Sequence, residues 1–331
     1  MYKIKQLPED FIVKEISSIK VQENGHYAYF ILNKINLNTG DALQILSKKF
    51  KIPLKNIGFA GNKDKNAITE QKISIFRGSK NFESHEFNGL KLTYLGNGKA
   101  PIFLGYLDGN DFTIMVRNLD REEEEKIKNL DGKIIKIPNL FGPQRFSQNN
   151  HLVGKIIIKR DFKNAIKLIL ENNGIIENKI KNYIIKNKNN YIEALRLIPL
   201  KTRKLFVHSY QSFLFNNIAN EYLKIGDKIK NINIPIIGYN FEINSIRENT
   251  LKNIIKNILY EEKINTREFI LNQIPELTSE GGFRQLFFVL NFQILEMNKD
   301  EFEKNKQKIN INFILPKGCY ATVAIDFIFQ S

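Results

Sequence analysis

Ile57-Gly58-Phe59-Ala60-Gly61-Asn62-Lys63-Asp64-Lys65-Asn66-Ala67-Ile68-Thr69-Glu70-Gln71 runs from one apolar segment, through a polar loop, into a second apolar segment. Ile57-Gly58-Phe59-Ala60 predicts a short strand, and the alternation that continues through Ile73 and Ile75 predicts another. A polar loop held between two strands is a common place for reactive side chains, because the strands fix its ends while the loop faces water. Upstream, Asn38-Thr39-Gly40-Asp41 offers an N-cap to a helix with Leu43, Leu46 and Phe50 on one face, ending before Pro53. Tyr27-Ala28-Tyr29-Phe30-Ile31-Leu32 and Phe11-Ile12-Val13-Lys14-Glu15-Ile16, the latter bounded by Pro8, predict two more strands. Downstream, Asp108-Gly109 is a turn signal ahead of Phe112-Thr113-Ile114-Met115-Val116, and Arg121 to Lys128 predicts a solvated helix. Residues 1 to about 150 therefore read as an α+β domain on an antiparallel or mixed sheet.

The texture changes beyond that point. From Lys155 to Lys204 there are 13 Lys and Arg against 4 Asp and Glu, interleaved with Ile and Tyr, which predicts a basic and mostly helical stretch. A longer helix is expected over Leu205–Lys224, burying Phe206, Phe213, Leu214 and Tyr222 and ending near Gly226. After Pro235 helix and strand candidates alternate less cleanly. The last segment, Ile311 to Phe329, is two apolar runs around Pro316-Lys317-Gly318, and its periodicity fits strand or helix.

At 331 residues the chain suggests about two domains, and 42% hydrophobic with 26% charged residues is an ordinary globular balance. The formal net charge of +15 favours a polyanionic partner, since Lys and Arg set against phosphates release condensed counterions. Cys319 is the sole cysteine, so neither an intramolecular disulfide nor a cysteine-based zinc site can form. His26, His85, His151 and His208 lie far apart, with no pair at helical metal-ligand spacing. The amino terminus is charged from the start, and no apolar run approaches membrane-spanning length. A cytoplasmic protein without a metal is the expectation.

Two clusters carry chemistry. Asp64 is flanked by Lys63 and Lys65, and positive charge on both sides suits a carboxylate that works as nucleophile or base. An isolated loop aspartate more often caps a turn, so the string around it matters. Pro138-Asn139-Leu140-Phe141-Gly142-Pro143-Gln144-Arg145-Phe146 combines two amides (Asn139, Gln144), the Arg145 guanidinium and two rings (Phe141, Phe146). Rings stack on splayed bases, amides pair with base edges and guanidinium grips phosphate or carboxylate. Gly96-Asn97-Gly98-Lys99 is no phosphate loop, because Ala100 replaces the required hydroxyl and Thr93 the first glycine. Gly58-Phe59-Ala60-Gly61 is too short to carry an RNA-binding loop motif.

In this order the segments resemble the TruD family of tRNA pseudouridine synthases. The matching strings are Lys5 with Pro8-Glu9-Asp10-Phe11, Phe59 to Gln71, Leu104-Gly105-Tyr106-Leu107 with Gly109-Asn110-Asp111-Phe112-Thr113, Pro138 to Phe146, Ser212-Phe213-Leu214-Phe215-Asn216, and Leu315 to Thr322. The resemblance implies an α+β, V-shaped molecule: a catalytic domain from 1–151 and 306–331, and a family-specific insertion over 152–305. It implies that Asp64 is catalytic, that Lys5 and Asn139 lie in the active site, and that Phe141 contacts the base. Gln144 and Arg145 belong to the same motif and would shape the site. It further implies a tRNA substrate modified at uridine 13 of the D arm and no cofactor; a monomer without a protein partner is the default expectation. Ser147 stands where the second motif usually ends in glycine, Cys319 where serine is usual, and Asp326-Phe327 where a basic-acidic pair is frequent. Two other classes share some of these features. One is a non-catalytic RNA-binding module; the other is a Mg²⁺ nuclease built on Asp64 and Glu70, for which the neighbouring lysines make a poor cation site.

Overall fold

A computed structural model describes residues 1–147, 149–226 and 230–330, without the side chains of His85 and Gln330. The chain divides into two compact units, Met1–Ile137 with Val289–Ser331, and Pro138–Phe288.

The first unit is built on a ten-stranded mixed sheet: β1 (Phe11–Ile16), β2 (Tyr27–Ile35), β3 (Ile57–Phe59), β4 (Ile68–Phe76), β5 (Ser84–Phe87), β6 (Leu90–Gly98), β7 (Gly109–Leu119), β8 (Ile134–Pro138), β11 (Phe287–Lys299) and β12 (Gln307–Pro316). Its order is β5-β6-β2-β4-β1-β7-β12-β11-β8, with β3 added alongside β4. β1 and β4 run parallel, with Ile12 opposite Ile68, whereas β1 meets β7 antiparallel, with Phe11 opposite Ile114. Period-2 alternation puts Ala28, Phe30 and Leu32 of β2 on one buried face, where they meet Ile73 and Ile75 of β4 and Leu43 and Leu46 of helix α1 (Thr39–Phe50). Burying each such side chain contributes about 1.5–3 kcal/mol. Helix α1 starts where Asn38 Oδ1 accepts the Asp41 N–H at 2.8 Å, and ends at Lys51, in the left-handed region at φ 54°, before Pro53. Helix α2 (Arg121–Leu130) is the expected solvated helix, opened by an Asp120–Glu123 capping box and holding Ile127 buried.

Both apolar runs at the carboxyl end return to this unit, each in a different form. The first is β12, paired with β7 on one side and β11 on the other; the second is helix α10 (Ala321–Gln330). Hydrogen-bonding partners on both edges make the first run a strand. Beyond Gly318, at φ 84°, the chain leaves the sheet and can coil.

The second unit is mainly helical: α3 (Pro143–Phe146), α4 (Asn150–Ile158), α5 (Phe162–Ile169), α6 (Ile175–Lys186), α7 (Tyr191–Arg196), α8 (Leu200–Leu223) and α9 (Asn249–Glu261), with a two-stranded ribbon of β9 (Asn233–Ile236) and β10 (Gly282–Gln285). Helix α8 begins five residues before the expected start. Pro199 sits at its N-cap, and Arg203 is buried, donating to Ile198 O at 3.0 Å and to Glu276 at 2.6 Å. The Arg203 charge near the front of this helix is thus paired inside the unit, while Lys201 and Lys204 stay exposed. The helix is the axis of the core, burying Phe206, Tyr210, Leu214, Phe215, Ile218 and Tyr222. Helix α4 crosses it at Gly154, where an added Cβ would lie 2.1 Å from Phe206 O, so glycine is what permits this close approach.

Candidate active site

The loop between β3 and β4 is fixed from beneath by side chains that reach its backbone. Lys34 occupies the inward register of β2 that Ala28, Phe30 and Leu32 begin, and it is wholly buried. Its Nζ donates to Asp64 O at 2.6 Å and to Leu37 O at 2.5 Å. Burial pulls this ammonium down to about 8, against the opposing attraction of Asp64 and with help from Lys63. Gln71 Nε2 donates to Gly61 O at 3.2 Å, and Thr39 Oγ1 accepts the Lys63 N–H at 2.9 Å while donating to Gln71 Oε1 at 3.1 Å. These bonds set the backbone of the loop and leave the Asp64 carboxylate facing outward, 37% exposed.

The cation beside Asp64 is not a sequence neighbour. Lys63, expected to flank it, instead buries its ammonium against Glu15 Oε2 at 2.7 Å, and Lys65 is exposed. Glu15 is the inward-facing continuation of Phe11 and Val13 on β1, so the buried strand face supplies the anion that draws Lys63 in. Lys5 takes the place at Asp64: its Nζ lies 3.1 Å from Oδ2 and 3.9 Å from the centre of the Phe11 ring. Two anchors hold the segment around Lys5. Lys3 exchanges backbone hydrogen bonds with Arg117 at 2.9 and 2.8 Å, and the Leu7 N–H donates to Asp10 Oδ2 at 3.0 Å. Asp10 is itself gripped by the Arg117 guanidinium, at 3.0 Å from Nε and 2.8 Å from Nη2, and both residues are buried. Lys5 spans these anchors at φ 60°, a left-handed backbone that costs a non-glycine residue energy and is held by the contacts on either side. Glu70 lies on β4 and accepts from Asn33 Nδ2 at 3.2 Å. Among the described residues, no group of three or more His, Cys, Asp or Glu is placed to hold a metal ion.

In the second unit, the segment after β8 is organised by a different kind of contact. Asn216 of α8 clasps Phe141 at both backbone groups, accepting its N–H and donating to its O, each at 2.9 Å. The Phe141 ring meets Phe215 edge-on at 5.3 Å, and the Arg284 guanidinium lies over it at 4.4 Å. Asn139 is 8% exposed; its N–H donates to Leu286 O at 2.7 Å, its O accepts from Arg284 Nε at 2.8 Å, and its Oδ1 accepts from Arg284 Nη2. Arg145 Nε donates to Ser212 Oγ at 3.1 Å, and its O accepts from Ser209 at 2.7 Å. Gln144 is exposed on α3, so the two amides of the motif stand in unlike surroundings. Ser147 has φ 47° and ψ −140°, a conformation glycine adopts freely and serine does not.

Lys5 and Asp64 thus meet within one unit, and Asn139, Phe141, Gln144 and Arg145 lie within the other. Sequence reading missed Lys34 and Arg284. A charged residue in phase with Ala28, Phe30 and Leu32 was the available signal for Lys34. For Arg284, which lies in the weakly patterned stretch after Pro235, there was none.

Comparison with known proteins identifies the family. The family described as tRNA pseudouridine synthase D (TruD) matches the chain over residues 2–181, 169–234 and 223–326. The tRNA pseudouridine synthase D of Aquifex aeolicus is 28% identical, with 99% of this chain and 98% of that protein covered. The probable tRNA pseudouridine synthase D of Nanoarchaeum equitans is 33% identical, with 99% and 98% covered. The crystal structure of the putative tRNA pseudouridine synthase D from Methanosarcina mazei superposes with a TM-score of 0.74 at 27% identity, over 99% of this chain and 93% of that one. The strings around Asp64 and Asn139 are thus parts of one end-to-end likeness, and the chain belongs to the tRNA pseudouridine synthase D family.

Proposed function

We propose that the protein isomerises a uridine of tRNA to pseudouridine, with Asp64 as the catalytic carboxylate and without a cofactor. The observation that carries this reading is the Lys5–Asp64 pair, an outward-facing carboxylate held by an ammonium at 3.1 Å in a chain of this family. The reaction breaks the bond from N1 of uracil to C1′, turns the base, and joins C5 to C1′. The C5 proton is released and N1 gains one, so no electrons or groups are exchanged with a second reactant. Asp64 acts at the ribose, by attack on C1′ or by removing the 2′ proton to give a glycal. Lys5 holds the carboxylate in its acting position. Phe141 packs against the flipped base, Asn139 binds its edge, and Gln144 and Arg145 shape the surroundings. The target is uridine 13 in the D arm, and the protein acts as a monomer in the cytoplasm. No helix among the described residues is long and apolar enough to cross a membrane.

Residues 1–151 with 306–331 serve as the catalytic domain, and residues 152–305, with their basic helices, as the family-specific insertion that grips the tRNA backbone. Neutralising Z phosphates gives a log–log salt slope of about −0.7Z to −0.9Z, so affinity for tRNA falls steeply between 50 and 200 mM salt on the order of several phosphate contacts. A flat salt response would remove the electrostatic part of this reading. The reaction itself is tested by tritium release from tRNA transcripts labelled at C5 of uridine, comparing wild type with Asp64→Asn. Release by the wild type alone supports the assignment. Equal release by both removes Asp64 from the chemistry, and intact binding with no release from any tRNA points to a non-catalytic RNA-binding protein.

A further inference from the structure

Asn139 can read a base edge in two opposite ways, because its amide offers an acceptor, Oδ1, and a pair of donors on Nδ2. A uracil ring has both complements: O2 and O4 accept, and N3–H donates. Turning the amide over therefore exchanges which part of the base it can bind. The geometry around Arg284 decides the matter. This arginine, on β10, sends Nη2 to the Asn139 side chain and Nε to its main-chain oxygen at 2.8 Å. A guanidinium carries five donors and no acceptor, so the amide atom facing it must be the oxygen. The face of the guanidinium covers Phe141 at 4.4 Å, and Asn139 is held again by its N–H to Leu286 O at 2.7 Å. With Oδ1 turned toward Arg284, the side of the amide that points away from the guanidinium carries the Nδ2 hydrogens.

We propose that Arg284 is a positioning and specificity-determining residue: it fixes the Asn139 amide so that this side chain donates to a carbonyl oxygen of the target uracil. This rests on the pseudouridine synthase reading above. Arg284 acts through Asn139 and stacks on Phe141, so a single residue sets both the edge contact and the ring. Lysine cannot replace it, since a point cation reaches one oxygen and has no plane to lay on a ring.

The test uses the full-length protein and a tRNA whose converted uridine has first been located with the wild type. That nucleotide is then replaced, by ligation, with 2-thiouridine or 4-thiouridine, whose sulfur is a weak acceptor. Wild type is expected to convert one of the two about tenfold more slowly than uridine, the cost of a weakened hydrogen bond. In Arg284→Met this ratio falls to about one while conversion of ordinary uridine drops about 30-fold or more. Asn139→Asp supplies a second reading that does not depend on how Arg284→Met folds. Aspartate keeps the size of the side chain and pairs more strongly with Arg284 but has no donor, so conversion is expected to fall about 100-fold with no loss of melting temperature. A merely structural role for Arg284 would leave the thiouridine ratio unchanged in Arg284→Met, and an Asn139→Asp protein near wild-type rate would show that no side-chain donor is needed there; either result overturns the inference. If the wild type converts no tRNA uridine, the reading of the function falls, and this inference with it.

Discussion

The loop that carries Asp64 and the segment that carries Asn139 and Phe141 are both anchored, by different physics. Buried charged and polar side chains hold the first: Lys34 under the Asp64 carbonyl, Gln71 under Gly61, and the Lys63–Glu15 pair. The second is held by a side-chain amide on backbone, Asn216 on Phe141, and by a guanidinium laid on a ring, Arg284 on Phe141. A carboxylate has to be aimed and kept beside a cation, which electrostatics does well. A ring proposed to contact a base needs a flat, rigid platform, which stacking and paired backbone bonds provide. The difference shows that sites in one protein can be pre-organised through separate means and perturbed separately.

The comparison breaks first at Lys34. Its ammonium is at about 8 in the folded protein against 10.5 for an ordinary lysine, so between these values the unfolded chain binds more protons and stability rises with pH. Chemical denaturation from pH 7 to 10.5 should show wild type gaining up to about 3 kcal/mol relative to Lys34→Met, whose profile lacks this rise. A parallel pair of profiles would mean that Lys34 is not held in its charged form at a cost. Next is Lys5→Met, which removes the cation from Asp64 and should lower the single-turnover rate about 30- to 100-fold with little change in tRNA affinity, whereas Lys5→Arg keeps more of the rate. An affinity loss matching the rate loss would instead make Lys5 a phosphate contact. On the other side of the comparison, Asn216→Ala frees both backbone groups of Phe141 and should cost about 1–3 kcal/mol in denaturant melts, with a rate loss on the order of tenfold. The smallest effect belongs to Ser147→Gly. Releasing a left-handed serine at φ 47° is expected to raise stability by about 0.5–1 kcal/mol and leave the rate alone. No gain in melting temperature would show that local bonds have already absorbed the strain.

Much of the first unit was legible along the chain. Asn38 caps α1 where the Asn-Thr-Gly-Asp string puts it, β1 spans Phe11–Ile16 as the β-branched run suggests, and Asp64 lies on a loop between two strands. These features depend on neighbours within a few residues, which a sequence displays. For the cation at Asp64, nearness in sequence pointed to Lys63 and Lys65, whereas the family resemblance pointed to Lys5. Lys63 is one residue away in sequence, yet the buried Glu15 on another strand claims its charge, and Lys5, fifty-nine positions distant, takes the contact.

The sequence by itself determined β1 to β4 and β7, the Asn38 cap of α1, the basic character of the 155–204 stretch and the strings that mark the family, since periodicity, capping and motif spacing are properties of consecutive residues. Tertiary structure alone decided that Lys34 lies under Asp64, that Arg284 turns the Asn139 amide, and that the final apolar runs are a strand and then a helix. Each of these turns on which distant group occupies a buried position. A donor sealed from water must find its acceptor wherever the packed chain brings one.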